Sequence, residues 1–327
     1  MEINSTVSVQ LISAKLTAIL FCLLVNTSIA QADAYFSEPA YITLRESGQI
    51  AQFPGEVIWN GGPKMLYTSI TPNGKTVVAS SPKEGSMYIF DALTGKQLSS
   101  IATDKAAKGL KFSPDGKEVY VCNEGANTVS IVDLAQKKVV KTINVGNMPH
   151  NIRFSNDGKK AYVTLQGAAG LAVIDTKKQV MTHVIPTTGI DTPHNLDLSK
   201  DGKTVFIRDT SNQVGVLDIT SGKMIKITSV GQGHAGIDVT PDGKWVFTGA
   251  IADDVVTVID ATTLTVVKSI KVGFGPHGVR ASADSRYLYV TITADDSVVV
   301  IDIKSLDVVK RYPLSSFPFW IAVNGNP

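Results

Sequence analysis

The feature that most constrains this chain is a repeat of about 42 residues that runs through most of its length. Six turn signals recur in phase, each an Asp or Asn followed by Gly or Ser. They are Asn73-Gly74, Asp115-Gly116, Asp157-Gly158, Asp201-Gly202, Asp242-Gly243 and Asp284-Ser285. Their second residues are separated by 42, 42, 44, 41 and 42 positions. Such pairs fit tight turns between antiparallel strands, because the second residue readily adopts a positive φ.

Short apolar runs that end in aspartate repeat with the same period. The aspartates are Asp91, Asp133, Asp175, Asp218, Asp260 and Asp302, spaced 42, 42, 43, 42 and 42 residues apart. Two markers in phase over six units leave little room for chance. Because one feature occurs in six copies, we predict that each carboxylate has an architectural role and caps the turn after its strand.

Each repeat reads as four short strands. In the second complete unit these are residues 109–113, 118–122, 128–133 and 138–145, all rich in β-branched residues and bounded by turn residues. No stretch after residue 32 has a sustained helical period. Four short antiparallel strands repeated around an axis form the blade of a β-propeller. We therefore predict an all-β fold, a seven-bladed β-propeller of four-stranded antiparallel blades.

The seventh blade is predicted to be a composite of both ends of the chain. Residues 320–323 resemble a first strand with no strands after it. Residues 34–36, 41–44 and 49–53 resemble second, third and fourth strands with no first. Joining the two ends closes the ring and removes two free sheet edges.

A recurring motif in the second strands resembles a known repeat. Its copies are Tyr120-Val121-Cys122-Asn123, Tyr162-Val163-Thr164 and Tyr289-Val290-Thr291, with Pro276-His277-Gly278-Val279 and Ser113-Pro114-Asp115-Gly116-Lys117 elsewhere. These segments are similar to the consensus of the YVTN-repeat β-propeller family, and the resemblance covers the chain after residue 32. It implies the fold more strongly than the function, since such propellers include binding proteins, surface proteins, lactonases and cofactor-bearing subunits. A more distant similarity is to the propellers of haem-containing nitrite reductases, which carry a modified haem with a His ligand.

The first 32 residues have the layout of a secretory signal peptide. Lys15 precedes a mostly apolar run at 16–25, and small residues follow it up to Ala32. We predict cleavage after Ala32, with Ala30 as the second choice, which leaves 33–327 as the propeller and places the protein in the periplasm or outside the cell. An uncleaved anchor is the alternative. No later stretch is apolar enough to span a membrane.

Charge and cysteine content narrow the choice of partners. The net charge is +2 and its signs are evenly mixed, which argues against a nucleic-acid partner. After removal of the leader, Cys122 is the remaining cysteine, so no intrachain disulfide can form. Its place in a Val-Tyr-Val-Cys strand predicts a buried, structural thiol.

The loops that lead into the first strands carry four of the five histidines of the chain. When the repeats are aligned, one position is occupied by Lys108, His150, His194, His277 and Phe319. In the two other repeats, His234 lies one residue and Lys64 two residues from this position. In a propeller these loops open onto one rim of the central channel. The predicted metal ligands are His150, His194, His234 and His277, and the predicted cofactor contacts that complete the arc are Lys64, Lys108 and Phe319.

This arc leaves several chemistries open. Convergent imidazoles suit copper or zinc. Histidine with lysine suits an anionic ligand or a haem-like macrocycle, although the sequence has no Cys-x-x-Cys-His attachment motif. A purely structural role, in which each histidine bonds the backbone of the next blade, and a role in acid–base catalysis are the alternatives.

Polar residues in four consecutive first strands run basic, acidic, acidic, basic. They are Arg153, Asp197, Asp238 and Arg280. We predict ion pairs between blades at these positions.

The sequence favours a periplasmic or secreted binding or scaffold protein that holds a metal or cofactor at the channel mouth. Its expected partner is an unidentified periplasmic protein or a small ligand. An enzyme, either a lactonase-like hydrolase or an oxidoreductase subunit, is the first alternative. A pure protein-interaction module is the second. No Gly-x-Ser-x-Gly, His-Glu-x-x-His or phosphate-loop motif supports catalysis.

Overall fold

The computed structural model describes residues 35–55 and 57–326, so the leader predicted for residues 1–32 lies outside the described residues. Within those ranges the chain forms 28 strands in seven four-stranded antiparallel sheets, with one three-residue 3₁₀ helix at Glu124–Ala126. This confirms the all-β, seven-bladed propeller. No helix in these ranges is long and apolar enough to cross a membrane.

The strands are numbered in chain order, and six of the blades are continuous in sequence. The first three strands are β1 (Ala40–Leu44), β2 (Gln49–Phe53) and β3 (Val57–Asn60). Blade 1 contains β4 (Thr68–Ile70), β5 (Thr76–Ser81), β6 (Ser86–Asp91) and β7 (Gln97–Ala102). Blade 2 contains β8 (Ala107–Phe112), β9 (Glu118–Asn123), β10 (Thr128–Asp133) and β11 (Lys138–Asn144). Blade 3 contains β12 (Pro149–Phe154), β13 (Lys160–Leu165), β14 (Gly170–Asp175) and β15 (Val180–Pro186).

The remaining blades follow the same order. Blade 4 contains β16 (Pro193–Leu198), β17 (Thr204–Asp209), β18 (Gln213–Asp218) and β19 (Lys223–Ser229). Blade 5 contains β20 (Ile237–Val239), β21 (Trp245–Thr248), β22 (Val255–Asp260) and β23 (Val266–Lys271). Blade 6 contains β24 (Pro276–Ala281), β25 (Tyr287–Ile292), β26 (Ser297–Asp302) and β27 (Asp307–Pro313). The last strand is β28 (Pro318–Val323).

Blade 7 is the predicted composite, with the sheet order β28-β1-β2-β3. Ala40 pairs with Val323 and Ile42 with Ile321, so both ends of the chain share one sheet. The predicted assignment of its strands was wrong by one position, because residues 40–44 and 49–53 form the second and third strands and 57–60 the fourth. Tyr35 and Phe36 lie in no strand, and Ala34 is outside the described residues. Phe36 instead stacks on Tyr289 of blade 6, with 4.4 Å between the ring centroids.

The turn and aspartate markers have the predicted roles. Gly116 and Ser285, between the first and second strands of their blades, have φ values of +69° and +59°. Asp91 Oδ1 accepts hydrogen bonds from the backbone N–H groups of Leu93 and Thr94, at 3.1 and 2.8 Å. Equivalent bonds from main-chain N–H groups reach the aspartates at 133, 175, 218, 260 and 302.

The apolar core lies between neighbouring blades. Tyr120 of blade 2 and Ile152 of blade 3, for example, belong to one buried cluster that also contains Cys122. The thiol of Cys122 is fully buried and free, as predicted, and burial raises its pKa. Blade 7 shares buried apolar clusters with blade 1 and with blade 6, so the described blades form a closed ring.

The threonine of the second-strand motif links adjacent inner strands. Thr164 Oγ1 accepts a hydrogen bond from the N–H of Asn151 in its own blade at 3.0 Å and donates one to the carbonyl of His194 in the next blade at 2.8 Å. Thr291 bonds the carbonyl of Phe319 in blade 7 in the same way, at 2.9 Å. These bonds fix the backbone where the inner strands begin, at the rim of the channel.

Candidate functional site

Six aromatic rings form a closed circle at the channel end where the inner strands begin. We call this circle the histidine mouth; its members are Tyr67, His150, His194, His234, His277 and Phe319. The centroid distances between successive rings, in that order, are 5.6, 3.9, 4.7, 5.3 and 3.8 Å, and 6.1 Å closes the circle from Phe319 to Tyr67. The structure therefore brings together the four histidines that the repeat phase places on one rim. A cavity of about 330 Å³ is lined by three of these histidines, His150, His194 and His234.

His150 is held on both sides of its ring. Its Nδ1 lies 2.6 Å from Glu124 Oε2, and its Nε2 lies 2.6 Å from the hydroxyl of Tyr67. Burial lowers the pKa of His150, so the ring is neutral at pH 7. The arrangement assigns the proton to Nδ1, which donates to the carboxylate, and leaves Nε2 to accept from Tyr67. Neither nitrogen is free for a metal without breaking a bond.

His277 and His194 each have one engaged nitrogen and one without a partner. The Nδ1–H of His277 donates to the carbonyl of Phe319 at 2.9 Å, which is the backbone contact to the next blade that the structural alternative predicted. Nδ1 of His194 contacts the side-chain amide of Gln166. The Nε2 atoms of both rings are buried and have no hydrogen-bond partner among the described residues. A buried imidazole nitrogen without a partner retains an unused lone pair or N–H group that a further group could satisfy.

His234 reaches the circle by a different route. Ala235 occupies the repeat position that holds histidine in blades 3, 4 and 6, and His234 comes from the residue before it. Arg208 positions this loop, because its buried guanidinium donates hydrogen bonds to the carbonyls of Gly231, at 2.7 Å, and Gly233. The ring of His234 has no hydrogen bond within the described part of the chain. Burial, with the positive charge of Arg208 nearby, lowers the pKa of His234 to about 4.

Three of these histidines form a possible metal site. His194, His234 and His277 each offer one nitrogen, and these atoms lie within 4.8 Å of one another. Burial also lowers the pKa values of His194 and His277 well below the usual value, so all three rings present neutral imidazole, the form that binds metals. A zinc ion bound at about 2.0–2.1 Å would need these nitrogens roughly 3.4 Å apart. Of the three rings, that of His234 is the one without a hydrogen bond among the described residues.

Of the three predicted cofactor contacts, two line the cavity and one does not. Phe319 stacks on His277, and Lys108 lines the cavity with its Nζ 3.6 Å from Glu124 Oε1. Lys64 lies outside the lining and pairs with Glu46 at the surface. In blade 1, Leu66 occupies the repeat position that holds histidine in blades 3, 4 and 6, and it lines the cavity in place of Lys64. His183, the fifth histidine, lies in an outer strand.

Sequence reasoning did not identify the residues that hold the rings. Tyr67 and Glu124 hold the ring of His150, and Gln166 contacts that of His194. Arg208 positions the loop that carries His234, and Arg45 lines the cavity from blade 7. A signal for two of them was present, because Glu124 and Gln166 follow the second strands of blades 2 and 3 and are 42 residues apart. The equivalent loop residues Thr210 and Ile251 also line the cavity.

The predicted ion pairs between blades are present further along the same strands. Arg153 Nε donates to Asp197 Oδ1 at 3.1 Å, and Arg280 Nη1 donates to Asp238 Oδ1 at 2.5 Å.

Comparison with known structures supports the architecture. Hydrazine synthase of Kuenenia stuttgartiensis superposes with a TM-score of 0.74 at 23% identity, covering 84% of this chain and 93% of the other. A functionally unknown protein from Desulfotomaculum acetoxidans DSM 771 gives 0.76 at 17% identity, covering 89% and 100%. Dihydro-haem d1 dehydrogenase NirN in complex with DHE gives 0.67 at 17% identity, covering 90% and 76%. At these identities the likeness shows the fold alone.

Sequence comparison gives the family. No curated protein sequence matches the chain significantly. The sequence model of the YNCE-like β-propeller family matches residues 76–326, which is most of the chain. With seven four-stranded blades in the structure, the distant resemblance to β-propeller repeat proteins is confirmed, and the chain belongs to the YNCE-like β-propeller family.

Proposed function

We propose that this protein is an exported β-propeller that binds a transition-metal ion, copper or zinc, at the histidine mouth through His194, His234 and His277. The observation that carries the proposal is the convergence of three neutral imidazoles, two of which have a buried Nε2 atom without a partner. A buried polar atom without a partner costs about 1–3 kcal/mol, and coordination of a metal would remove that cost at two places.

The ring partners support this assignment. Because Nδ1 of His277 donates to the carbonyl of Phe319, its Nε2 carries the lone pair a metal needs. His194 is prepared in the same way when the amide of Gln166 presents its oxygen to Nδ1, an orientation that differs from its opposite only by a 180° rotation of the amide. In this proposal His150 lines the cavity but does not bind the metal, since both of its nitrogens are already hydrogen-bonded.

The cavity suits a small additional ligand. Its volume of about 330 Å³ is at the lower end of ligand pockets, which favours an ion with water or a small molecule over a haem-like macrocycle. Three protein ligands with an open position are typical of metal sites that bind or activate a further molecule. Export itself rests on the signal-peptide pattern at 1–32, and the N-terminal sequence of protein recovered from the periplasm or medium tests it.

Calorimetric titration of the metal-free protein with Zn²⁺ and Cu²⁺ tests the metal site. We expect one ion to bind per chain, and we expect His194→Ala, His234→Ala and His277→Ala each to weaken binding at least 100-fold. His183→Ala is the matched control, because it removes an imidazole from an outer strand. Unchanged affinity in the triple variant, with its fold retained by circular dichroism, would contradict the proposal.

A hydrolase is the second candidate, favoured by one contact. Glu124 holds the proton of His150 on Nδ1, which leaves Nε2 with a lone pair that accepts from Tyr67, and all three side chains line the cavity. The lactonase-like alternative needs a histidine with an acidic residue and an arginine, and here these are His150, Glu124 and Arg45. Lactone turnover that is lost in His150→Ala but survives removal of metal by a chelator would favour this candidate over metal binding.

A further inference from the structure

A second group of titratable residues lies at the opposite end of the channel, where the inner strands end. We call it the charged mouth, and it consists of Lys111, Arg153, Asp197, Asp238 and Arg280. Four of these residues are almost fully buried, and the side chain of Asp197 is 15% exposed. A cavity of about 350 Å³ lies against Lys111, Arg153, Asp197 and Arg280 and is bounded further out by turn residues such as Pro114 and Asn156.

The two carboxylates of the charged mouth are already saturated. Asp197 accepts from Arg153 Nε and the N–H of Leu198 on Oδ1, and from the N–H of Val239 on Oδ2, at 2.9–3.1 Å. Asp238 accepts from Arg280 on Oδ1 and from the N–H of Ala281 on Oδ2, at 2.5 and 2.7 Å. All four oxygens therefore have donors before any further cation is considered.

The basic groups, in contrast, are not saturated. Within the described residues Lys111 makes no ion pair and its ammonium makes no hydrogen bond. Nη2 of Arg153 and Nε of Arg280 are buried and have no partner there. Three cations face two carboxylates, so the cluster has an excess of one positive charge. A buried cation without a counter-charge costs several kcal/mol, and this cost is usually offset by a partner or by loss of the proton.

Loss of the proton would relieve part of this imbalance. Burial lowers the pKa of Lys111 well below its ordinary value, and the nearby arginines act in the same direction. A neutral amine would still leave the two buried arginine donors without acceptors. A bound anion with several acceptor oxygens would satisfy the ammonium and at least one guanidinium together.

We propose that the charged mouth is a binding site for a small oxyanion, either a carboxylate or an inorganic anion such as phosphate, held by Lys111 and Arg153. One negative charge balances the cluster, and the oxygens accept from the donors that the protein leaves unsatisfied. The cavity volume limits the ligand to a small molecule. The site is separate from the histidine mouth and does not depend on metal binding there.

Titration of the purified wild-type protein with inorganic phosphate and with acetate, at constant ionic strength in chloride, tests the proposal by calorimetry and thermal unfolding. We expect saturable binding of at least one of them with a rise in Tm, and the two arms distinguish an inorganic oxyanion from a carboxylate. Lys111→Met should lower the affinity at least tenfold. It should also raise Tm in chloride alone, since an unpaired buried charge has been replaced by an apolar side chain of similar length.

Lys117→Met is the matched control, because Lys117 lies in the turn after the same strand and its side chain is 79% exposed. It should bind the anion as the wild type does. General stabilisation by phosphate raises the Tm of all three proteins equally, so only the difference between them reports the site. Should Lys111→Met fail to fold, Lys111→Gln replaces it in the calorimetric comparison. Equal affinity in wild type and Lys111 variant, or no binding of either anion to the wild type, would overturn the proposal.

Discussion

The two mouths of the channel are built from positions only three residues apart on the same inner strands, yet their chemistry is opposite. His150 and Arg153 on β12 and His277 and Arg280 on β24 illustrate the pairing. Residues three apart on a regular strand face opposite sides of the sheet. A register shift in each of these strands, between Pro149 and Ile152 and between Pro276 and Val279, changes the alternation, so both residues line the channel.

The difference shows how one repeat produces two kinds of site. At the histidine mouth, buried rings remain neutral and leave lone pairs or N–H groups for a ligand. At the charged mouth, buried ions pair between blades and leave an excess of donors. Rotation of the repeat brings equivalent positions together at each end, and the residue type at that position decides whether the end presents neutral imidazoles or charged groups.

The largest effect should come from breaking an ion pair at the charged mouth. Asp238→Ala leaves Arg280 buried without its acidic partner, which typically costs about 3–5 kcal/mol of unfolding free energy. Urea denaturation measures this loss. If charge pairing is what holds this mouth, the double variant Asp238→Leu, Arg280→Met should recover most of the stability. A double variant as unstable as the single one would show that packing, not charge, dominates there.

The repeat phase predicted the blades and the rim because both follow from rotation alone. Any residue that recurs every 42 positions must occupy equivalent places around the axis, so His150, His194 and His277 could be grouped without a structure. The composite blade was misassigned by one strand because Tyr35 and Phe36 have the apolar character of a strand. In the structure they use it to pack on blade 6.

The parts that could not be predicted depend on local departures from the repeat and on side-chain contacts. Blade 5 places its histidine one residue early, and its loop is held by bonds of Arg208 to Gly231 and Gly233 and of the Ile251 N–H to the carbonyl of His234. Which nitrogen of each ring is engaged depends on Glu124, Tyr67 and other partners that are far away in sequence. No spacing rule contains that information.

An intermediate effect should come from acidifying the metal-free protein. The pKa of His234 is about 4 in the folded protein and near 6.5 in the unfolded chain, so between these values only the unfolded chain binds the proton. Unfolding free energy should therefore fall as the pH decreases through this window, by up to about 1.4 kcal/mol per pH unit for this group. Denaturation curves from pH 7 to pH 4.5 should show a shallower decline in His234→Gln than in the wild type.

The same experiment compares the two regions of the molecule. His183→Gln is the matched control variant, because that histidine lies in an outer strand. Equal slopes in His234→Gln and the wild type would mean that the histidine mouth accepts protons in the folded state. In that case the histidine mouth would carry charge in the folded protein, and the contrast between neutral rings there and ions at the charged mouth would be lost.

The smallest effect should distinguish the two lysines that were both expected at the histidine mouth. The positive charge of Lys108 helps to lower the pKa values of His194 and His234, and the field that opposes protonation also opposes a metal cation. Lys108→Ala should therefore strengthen zinc binding about two- to fivefold at low ionic strength, and added salt should reduce the gain by screening. Lys64→Ala should leave the affinity unchanged, since Lys64 pairs with Glu46 away from the cavity. Weaker zinc binding in Lys108→Ala would indicate instead that Lys108 matters mainly by holding Glu124, and through it His150, in place.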